Sequence, residues 1–127
     1  MLRMREREDL SAGEYTTSTR EGTVFEVDMR GRHFVTFKIT PATEDLTACK
    51  LQGKVAEGDT GWVDLLTSAS DWQDAKGMLV GASGEDLASL SAGTTAWAII
   101  QSVGFAALRL RVTAAGDGSL TYSYGAQ

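Results

Sequence analysis

The sequence predicts an all-β protein built as a single β-sandwich of the Greek-key or jelly-roll type. The first observation is alternation: Leu108, Leu110 and Val112 take every second position, with Arg109 and Arg111 between them. A period of two is typical of a strand with one buried face. The second observation is a series of short strand-like segments separated by turn residues. The third is composition, because 14 glycines and one proline suit many tight turns.

The strand-like segments begin near Gly22 and are rich in β-branched and aromatic residues or alternate in polarity. In chain order they cover residues 23–28, 33–40, 46–55, 62–66, 78–80, 97–103, 105–113 and 120–124, with one helical turn over 70–75. Asp117 and Gly118 suit a type I′ turn, so the last two segments are predicted to form a closing hairpin.

A chain of 127 residues is long enough for one domain with a buried core. Residues 13–127 are predicted to form the sandwich domain. Residues 1–12 are predicted to form a charged N-terminal arm, in which Arg3, Arg5 and Arg7 interleave with acidic residues and no apolar face develops. Two interpretations of this arm remain open: a frayed terminus, or an extension that orders against a neighbouring subunit.

Charge and hydropathy limit the kinds of partner that the chain is expected to have. The net charge of −5 disfavours general binding of nucleic acid, which depends on neutralising phosphates. The longest apolar run, residues 96–100, is too short to span a bilayer. The basic start is not followed by an apolar stretch, so it does not fit a secretory signal. We therefore expect neither a nucleic-acid nor a membrane partner, and synthesis in a cytosol.

No motif in the sequence predicts catalysis, a cofactor or a metal. The single cysteine, Cys49, cannot form an internal disulfide and is predicted to be a buried thiol. The single histidine, His33, cannot supply a zinc triad, and no serine lies in a Gly-x-Ser-x-Gly elbow. Carboxylates do cluster at Glu57, Asp59, Asp64, Asp71 and Asp74. A calcium site and a glycosidase pair are alternatives there, but solvated loop charges are the favoured interpretation.

Aromatic and basic residues supply the candidate contact sites. Trp62 and Trp97 are predicted to lie in the core, whereas Trp72, in a polar segment, is either an exposed contact or locally packed. The arginines at 109 and 111 lie on an outward face that is either solvated or meets another protein. The predicted partner contacts are therefore Arg3, Arg5, Arg7, Trp72, Arg109 and Arg111.

Three segments together resemble a family of small phage structural proteins that includes capsid decoration, or cement, proteins. They are a strand, short turn and strand over 23–39, a strand, Gly/Asp loop and tryptophan over 51–62, and an Arg-Leu-Arg-Val-Thr strand with a glycine turn and aromatic strand over 108–124. The resemblance implies a non-enzymatic virion protein, assembled in the host cytoplasm and placed on the capsid surface. The implied partners are the major capsid protein and copies of the chain itself, often as trimers, with the arm as a tether.

Two other functions fit the same sequence. One is a carbohydrate-binding or host-adhesion sandwich, with Trp72 and the neighbouring carboxylates as its site. The other is a neck or tail component of the same fold, which the sequence does not separate from a capsid role because fold does not determine function.

Overall fold

Strands dominate the computed structural model, which describes residues 11–16, 22–55, 61–73, 78–83, 87–101, 104–114 and 119–127. Its strands are β1 (Ser11–Thr16), β2 (Thr23–Asp28), β3 (Phe34–Pro41), β4 (Leu46–Lys54), β5 (Val63–Leu66), β6 (Leu79–Ala82), β7 (Ala96–Gln101), β8 (Ala107–Ala114) and β9 (Ser119–Ala126). One short helix, α1, covers Ala69–Gln73. The predicted all-β class is confirmed. The helical turn predicted over 70–75 is also present, and it begins one residue earlier, at Ala69.

The strands form two antiparallel sheets. One has five strands in the order β1-β9-β3-β7-β6, and the other has four in the order β2-β8-β4-β5. Strands from the first half of the chain pair with strands from the second half: β1 with β9, β2 with β8 and β3 with β7, while β4 pairs with β5. The chain thus folds back on itself as one long hairpin would, with β6 added at an edge.

The predicted closing hairpin is wrong. β8 belongs to the four-stranded sheet, where it pairs with β2 and β4, and β9 belongs to the five-stranded sheet, where it pairs with β1 and β3. The chain therefore passes from one sheet to the other between β8 and β9, and the predicted turn at 115–118 lies outside the described residues. Alternation identifies a strand and its buried face, but it does not identify the partner strand.

Strand β1 was not predicted, because strand-like residues were placed only from Gly22 onward. All six of its residues pair with β9, from Ser11 opposite Tyr124 to Thr16 opposite Ser119. The first two of them fall within the predicted arm of residues 1–12. Residues 1–10, with Arg3, Arg5 and Arg7, lie outside the described part of the chain.

The core lies between the two sheets. Leu108, Leu110 and Val112 are buried, as the alternation in β8 predicts. Phe25 of β2 stacks on Tyr124 of β9 with ring centroids 4.5 Å apart, so aromatic side chains join the two sheets directly. Burial of one face of each sheet against the other stabilises the sandwich.

A capping box fixes the start of α1. The Ser68 hydroxyl accepts a hydrogen bond from the Asp71 backbone N–H at 3.2 Å. In return, the Asp71 carboxylate accepts from the backbone N–H groups of Ser68 at 3.2 Å and Thr67 at 3.1 Å. These bonds satisfy donors that the first turn of a helix leaves without partners. They set the direction of the helix and so direct Trp72 into the core.

Candidate interaction surfaces

Trp72, the predicted exposed contact, is buried with 2% of its surface accessible. Its indole N–H donates a hydrogen bond to the Cys49 carbonyl at 2.9 Å, and its ring meets Phe37 edge-on at a centroid distance of 6.1 Å. The expectation of a partner or glycan contact at Trp72 is therefore wrong. The structure shows the other interpretation, local packing, because α1 turns the large apolar side chain of this polar segment inward.

The outer side of the four-stranded sheet carries Arg109 and Arg111. Arg109 donates from Nε to the Gln52 side-chain oxygen at 2.7 Å. Its guanidinium also lies 4.2 Å from the centroid of the Trp62 ring, and the Lys54 ammonium lies 5.2 Å from the same centroid. Trp62 is half-buried beneath these cations, so the prediction that it anchors the core is wrong. Contacts within the chain hold Arg109 in one orientation.

A polar network extends from Arg109 across this side of the sheet. Gln52 donates from its amide nitrogen to Asp64 at 2.6 Å, and the Lys50 ammonium lies 3.7 Å from the other Asp64 oxygen. Burial lowers the pKa of Arg109, and Arg111 lowers it further, while Glu26 and Asp64 oppose this effect. Arginine stays protonated at neutral pH despite such a shift. We call this surface, formed by Lys50, Gln52, Lys54, Trp62, Asp64 and Arg109, the charged face.

The outer side of the five-stranded sheet carries Trp97, which is 40% exposed. This corrects its predicted place in the core. Ala96 and Ala98 on either side of it point inward, so the alternation of β7 turns the indole outward. The Trp97 ring lies beside Gly81 of β6, where a Cβ would be in ordinary van der Waals contact with the ring at 3.6 Å. Val80 beside it is 56% exposed.

Few charges surround Trp97. The strand register sets Trp97 opposite Lys38 and Ile99 opposite Thr36, and Ser123 of β9 lies on the other side of Lys38. Lys38 is the one charged residue on β3, β6, β7 and β9, all of which the structure describes. We call this surface, formed by Thr36, Lys38, Trp97, Ile99 and Ser123, the charge-poor face. The two outer sides of the sandwich thus differ in chemistry.

The titratable residues weighed as alternatives for chemistry do not come together in the described part of the chain. His33 is exposed just before β3, and Cys49 is buried, as predicted. Asp64 belongs to the charged face and Asp71 to the helix cap, whereas Glu57, Asp59 and Asp74 lie outside the described residues. A search of the described residues finds no group of three potential metal ligands. In the same residues, no helix has the length and apolar character needed to cross a membrane.

Comparisons with known proteins give one structural likeness. No family model and no curated protein matches the chain. Among solved structures, the chain is similar to the SPBc2 prophage-derived protein YomS, with a TM-score of 0.48 and 12% sequence identity. The match covers 93% of this chain and 95% of that one. The function must therefore be argued from the surfaces of the chain.

Proposed function

We propose that this chain is a non-enzymatic structural protein of a phage particle, specifically a capsid decoration protein. It binds the outer surface of the head and bridges neighbouring capsid subunits. The observation that carries the proposal is the charge-poor face, on which a tryptophan is partly exposed. The resemblance of the three sequence segments to small phage structural proteins supports a phage particle as the assembly to which the chain belongs.

The composition of the charge-poor face favours contact with protein. The centre of a protein interface is depleted in charged residues and enriched in aromatic ones, and tryptophan is among the side chains that contribute most to binding. Trp97 exposes apolar surface on this face, and the neighbouring strands contribute Thr36 opposite Ile99 and Ser123 opposite Lys38. Each contact is small, but a shell repeats it many times.

The strand pairing supports a jelly-roll sandwich as the finer fold type. Pairing of β1 with β9, β2 with β8, β3 with β7 and β4 with β5 is that of a hairpin rolled into two sheets, with β6 as an addition. Double-sheet jelly rolls occur in viral capsid proteins and also in lectins. The fold is therefore compatible with the proposal, and the surface decides between these uses.

The test measures attachment to purified phage heads that lack this protein. Trp97→Ala removes the exposed ring of the charge-poor face, and Trp62→Ala is the matched control on the charged face. We expect Trp97→Ala to weaken binding by about 10- to 100-fold, as the loss of an aromatic side chain that contributes strongly to an interface does. Trp62→Ala should bind as the unchanged chain does. If Trp62→Ala weakens binding more than Trp97→Ala does, the attachment surface is the outer side of the four-stranded sheet, where Arg109 and Arg111 are predicted contacts.

The copy number per particle separates a capsid role from a neck or tail role. Quantitative mass spectrometry of density-purified virions should find this chain at a stoichiometry comparable to that of the major capsid protein. A few copies per particle would instead assign it to the neck or tail. Absence from virions would contradict the proposal as a whole.

A carbohydrate-binding or adhesion module is the second candidate, now with Trp97 in place of Trp72. The favouring observation is that the Trp97 ring lies beside Gly81 and leaves part of its surface exposed, so an aromatic surface is open to a sugar. A glycan array probed with the unchanged chain and with Trp97→Ala tests it. Binding that disappears in the variant would support this candidate, and the absence of binding across the array would remove it.

A further inference from the structure

The edges of the two sheets differ in regularity. The edge strands are β1 and β6 in the five-stranded sheet and β2 and β5 in the four-stranded sheet. An edge strand offers backbone donors and acceptors to which another strand can add. An extra residue interrupts the pairing of three of these strands: Val24 in β2, Leu65 in β5 and Val80 in β6. Such bulges twist an edge and hinder the addition of a strand.

Strand β1 has no such interruption. Its six residues, Ser11–Thr16, pair with β9 without a shift in register. Among the described residues, β1 pairs with β9 alone. Its sequence holds one charged residue, Glu14, whereas the shorter β5 carries Asp64 and β2 carries Glu26 and Asp28. β1 is therefore the longest regular edge, with a single charge in six residues.

We propose that β1 pairs edge to edge with β1 of a second copy of this chain, so that two five-stranded sheets join into one of ten strands. A two-fold axis normal to the sheet makes two identical strands antiparallel, which is also the geometry of the described ladders of the five-stranded sheet. A register with Gly13 opposite Gly13 of the second copy sets Glu14 opposite Ala12, so the two carboxylates do not face each other directly. This inference is independent of the proposed attachment to a capsid.

Charge favours a second copy at this edge over the edges of the four-stranded sheet, while β6, which carries no charge, is disfavoured by its bulge. Each chain carries a net charge of −5, so two copies repel and approach best where the charge density is low. The five-stranded sheet is that region, because its five strands carry two charged residues of opposite sign, Glu14 on β1 and Lys38 on β3. By comparison, β2 carries two acidic residues, Glu26 and Asp28, and the four residues of β5 include Asp64.

Cysteine cross-linking tests the pairing on the full chain. Ala12→Cys, Gly13→Cys and Glu14→Cys place a thiol near the centre of the proposed axis, and Val63→Cys and Val80→Cys are controls on the β5 and β6 edges. Residues opposite each other in antiparallel strands are about 4.5–5.5 Å apart between Cα atoms, within the range that a disulfide bridges. Cys49 is buried and should stay unmodified under mild oxidation.

We expect at least one β1 variant to form a covalent dimer roughly 100-fold faster than either control, because pairing raises the effective concentration of the two thiols. Analytical ultracentrifugation of the unchanged chain should give the mass of two 13.6 kDa chains. A single-chain mass at all concentrations, a three-chain mass, or faster cross-linking at Val80→Cys would overturn the proposal. If β1 pairs instead with a strand of a different protein, the purified chain would give the single-chain mass.

Proline substitutions separate pairing from folding. Successive residues of an antiparallel strand point their N–H groups to opposite sides, so Gly13→Pro and Glu14→Pro remove one donor toward β9 and one toward the free edge. The variant that keeps the far-UV spectrum and melting temperature of the unchanged chain reports on the free edge. It should sediment as one chain; a folded proline variant that remains a dimer would contradict the pairing.

Discussion

The indole N–H of Trp72 donates a hydrogen bond to the backbone carbonyl of Cys49 across 2.9 Å of the core. This bond ties α1 to β4, two elements that are 23 residues apart at these positions. The same ring packs edge-on against Phe37 of β3. One side chain thus contacts both sheets of the sandwich, which makes it a site where stability should depend strongly on the residue type.

Trp72→Phe should therefore destabilise the fold by about 1–3 kcal/mol, because it removes the indole donor and part of the packed volume. Trp72→Ala should cost about 3–5 kcal/mol, since it also leaves a cavity. Urea unfolding followed by far-UV circular dichroism measures both. Trp97→Ala is the matched control and should cost less than Trp72→Ala, because Trp97 is 40% exposed. Equal losses at the two positions would contradict the structure.

Gly53 marks a close approach within the sandwich. A Cβ at this position would lie 2.7 Å from the Phe105 ring and 2.8 Å from a Leu65 methyl group, which is nearer than carbon atoms pack. Gly53→Ala should destabilise the protein by about 1–3 kcal/mol through overpacking. Thermal unfolding tests this, with Gly61→Ala as the control because a Cβ there meets nothing within 4 Å. Addition of Phe105→Leu should restore part of the loss; no restoration would point to a cause other than the contact.

The sequence predicted the strands better than their connections. Alternation placed β2 at its observed bounds and identified the buried residues of β8, because the period of two reports which side of a strand meets the core. It did not reveal that β8 and β9 lie in different sheets. Partner choice depends on contacts between distant parts of the chain, such as Phe25 with Tyr124, and no local pattern records them.

The tryptophans show the same limit at the level of the site. Trp97 was assigned to the core for its apolar neighbours, although the small residues Ala96 and Ala98 alternate with it and fix its outward direction. Trp72 was placed among the candidate contacts for its polar neighbours, although Ser68 and Asp71 form a capping box that starts a helix. Both signals were present in the sequence. The sequence held no such signal for the contact between Arg109 and the Trp62 ring, because these residues are 47 positions apart.

The helix cap should make stability depend on pH. Backbone N–H groups of Thr67 and then Ser68 lower the pKa of the Asp71 carboxyl in the folded chain. A carboxyl whose pKa is lower when folded stabilises the protein above its unfolded pKa of about 3.9, and this contribution is lost as the pH falls through the folded pKa. Asp71→Asn should therefore lower the urea midpoint at neutral pH, by an amount that shrinks in acid.

Ser68→Ala is the control for that titration. It removes the reciprocal bond of the capping box and should cost about 1 kcal/mol, but it removes no titrating group. Its loss of stability should change less between neutral and acidic pH than that of Asp71→Asn. A constant difference between Asp71→Asn and the unchanged chain at both pH values would show that the carboxylate is not the acceptor that the structure describes.

Arg109 and Trp62 should be energetically coupled. The guanidinium lies 4.2 Å from the ring centroid, a geometry that gives about 0.5–1 kcal/mol at an accessible site. A double-mutant cycle of Arg109→Ala and Trp62→Ala, measured by urea unfolding, should give a coupling energy in that range. Arg109→Lys should recover part of it, since a lysine keeps the charge but loses the planar stacking and the bond to Gln52. If the destabilising effects of the two single substitutions simply add, Arg109 and Trp62 do not interact energetically.

Cys49 should be inert in the folded protein. Its side chain is buried, and burial raises the pKa of the thiol, so the reactive thiolate is scarce at neutral pH. A thiol reagent such as dithionitrobenzoate should leave the native chain unmodified and react fully once urea unfolds it. The rate of modification across urea concentrations should then follow unfolding measured by circular dichroism. Rapid labelling of the native chain would mean that β4 opens locally, and Trp72→Phe, which removes the bond to Cys49, should increase the labelling rate.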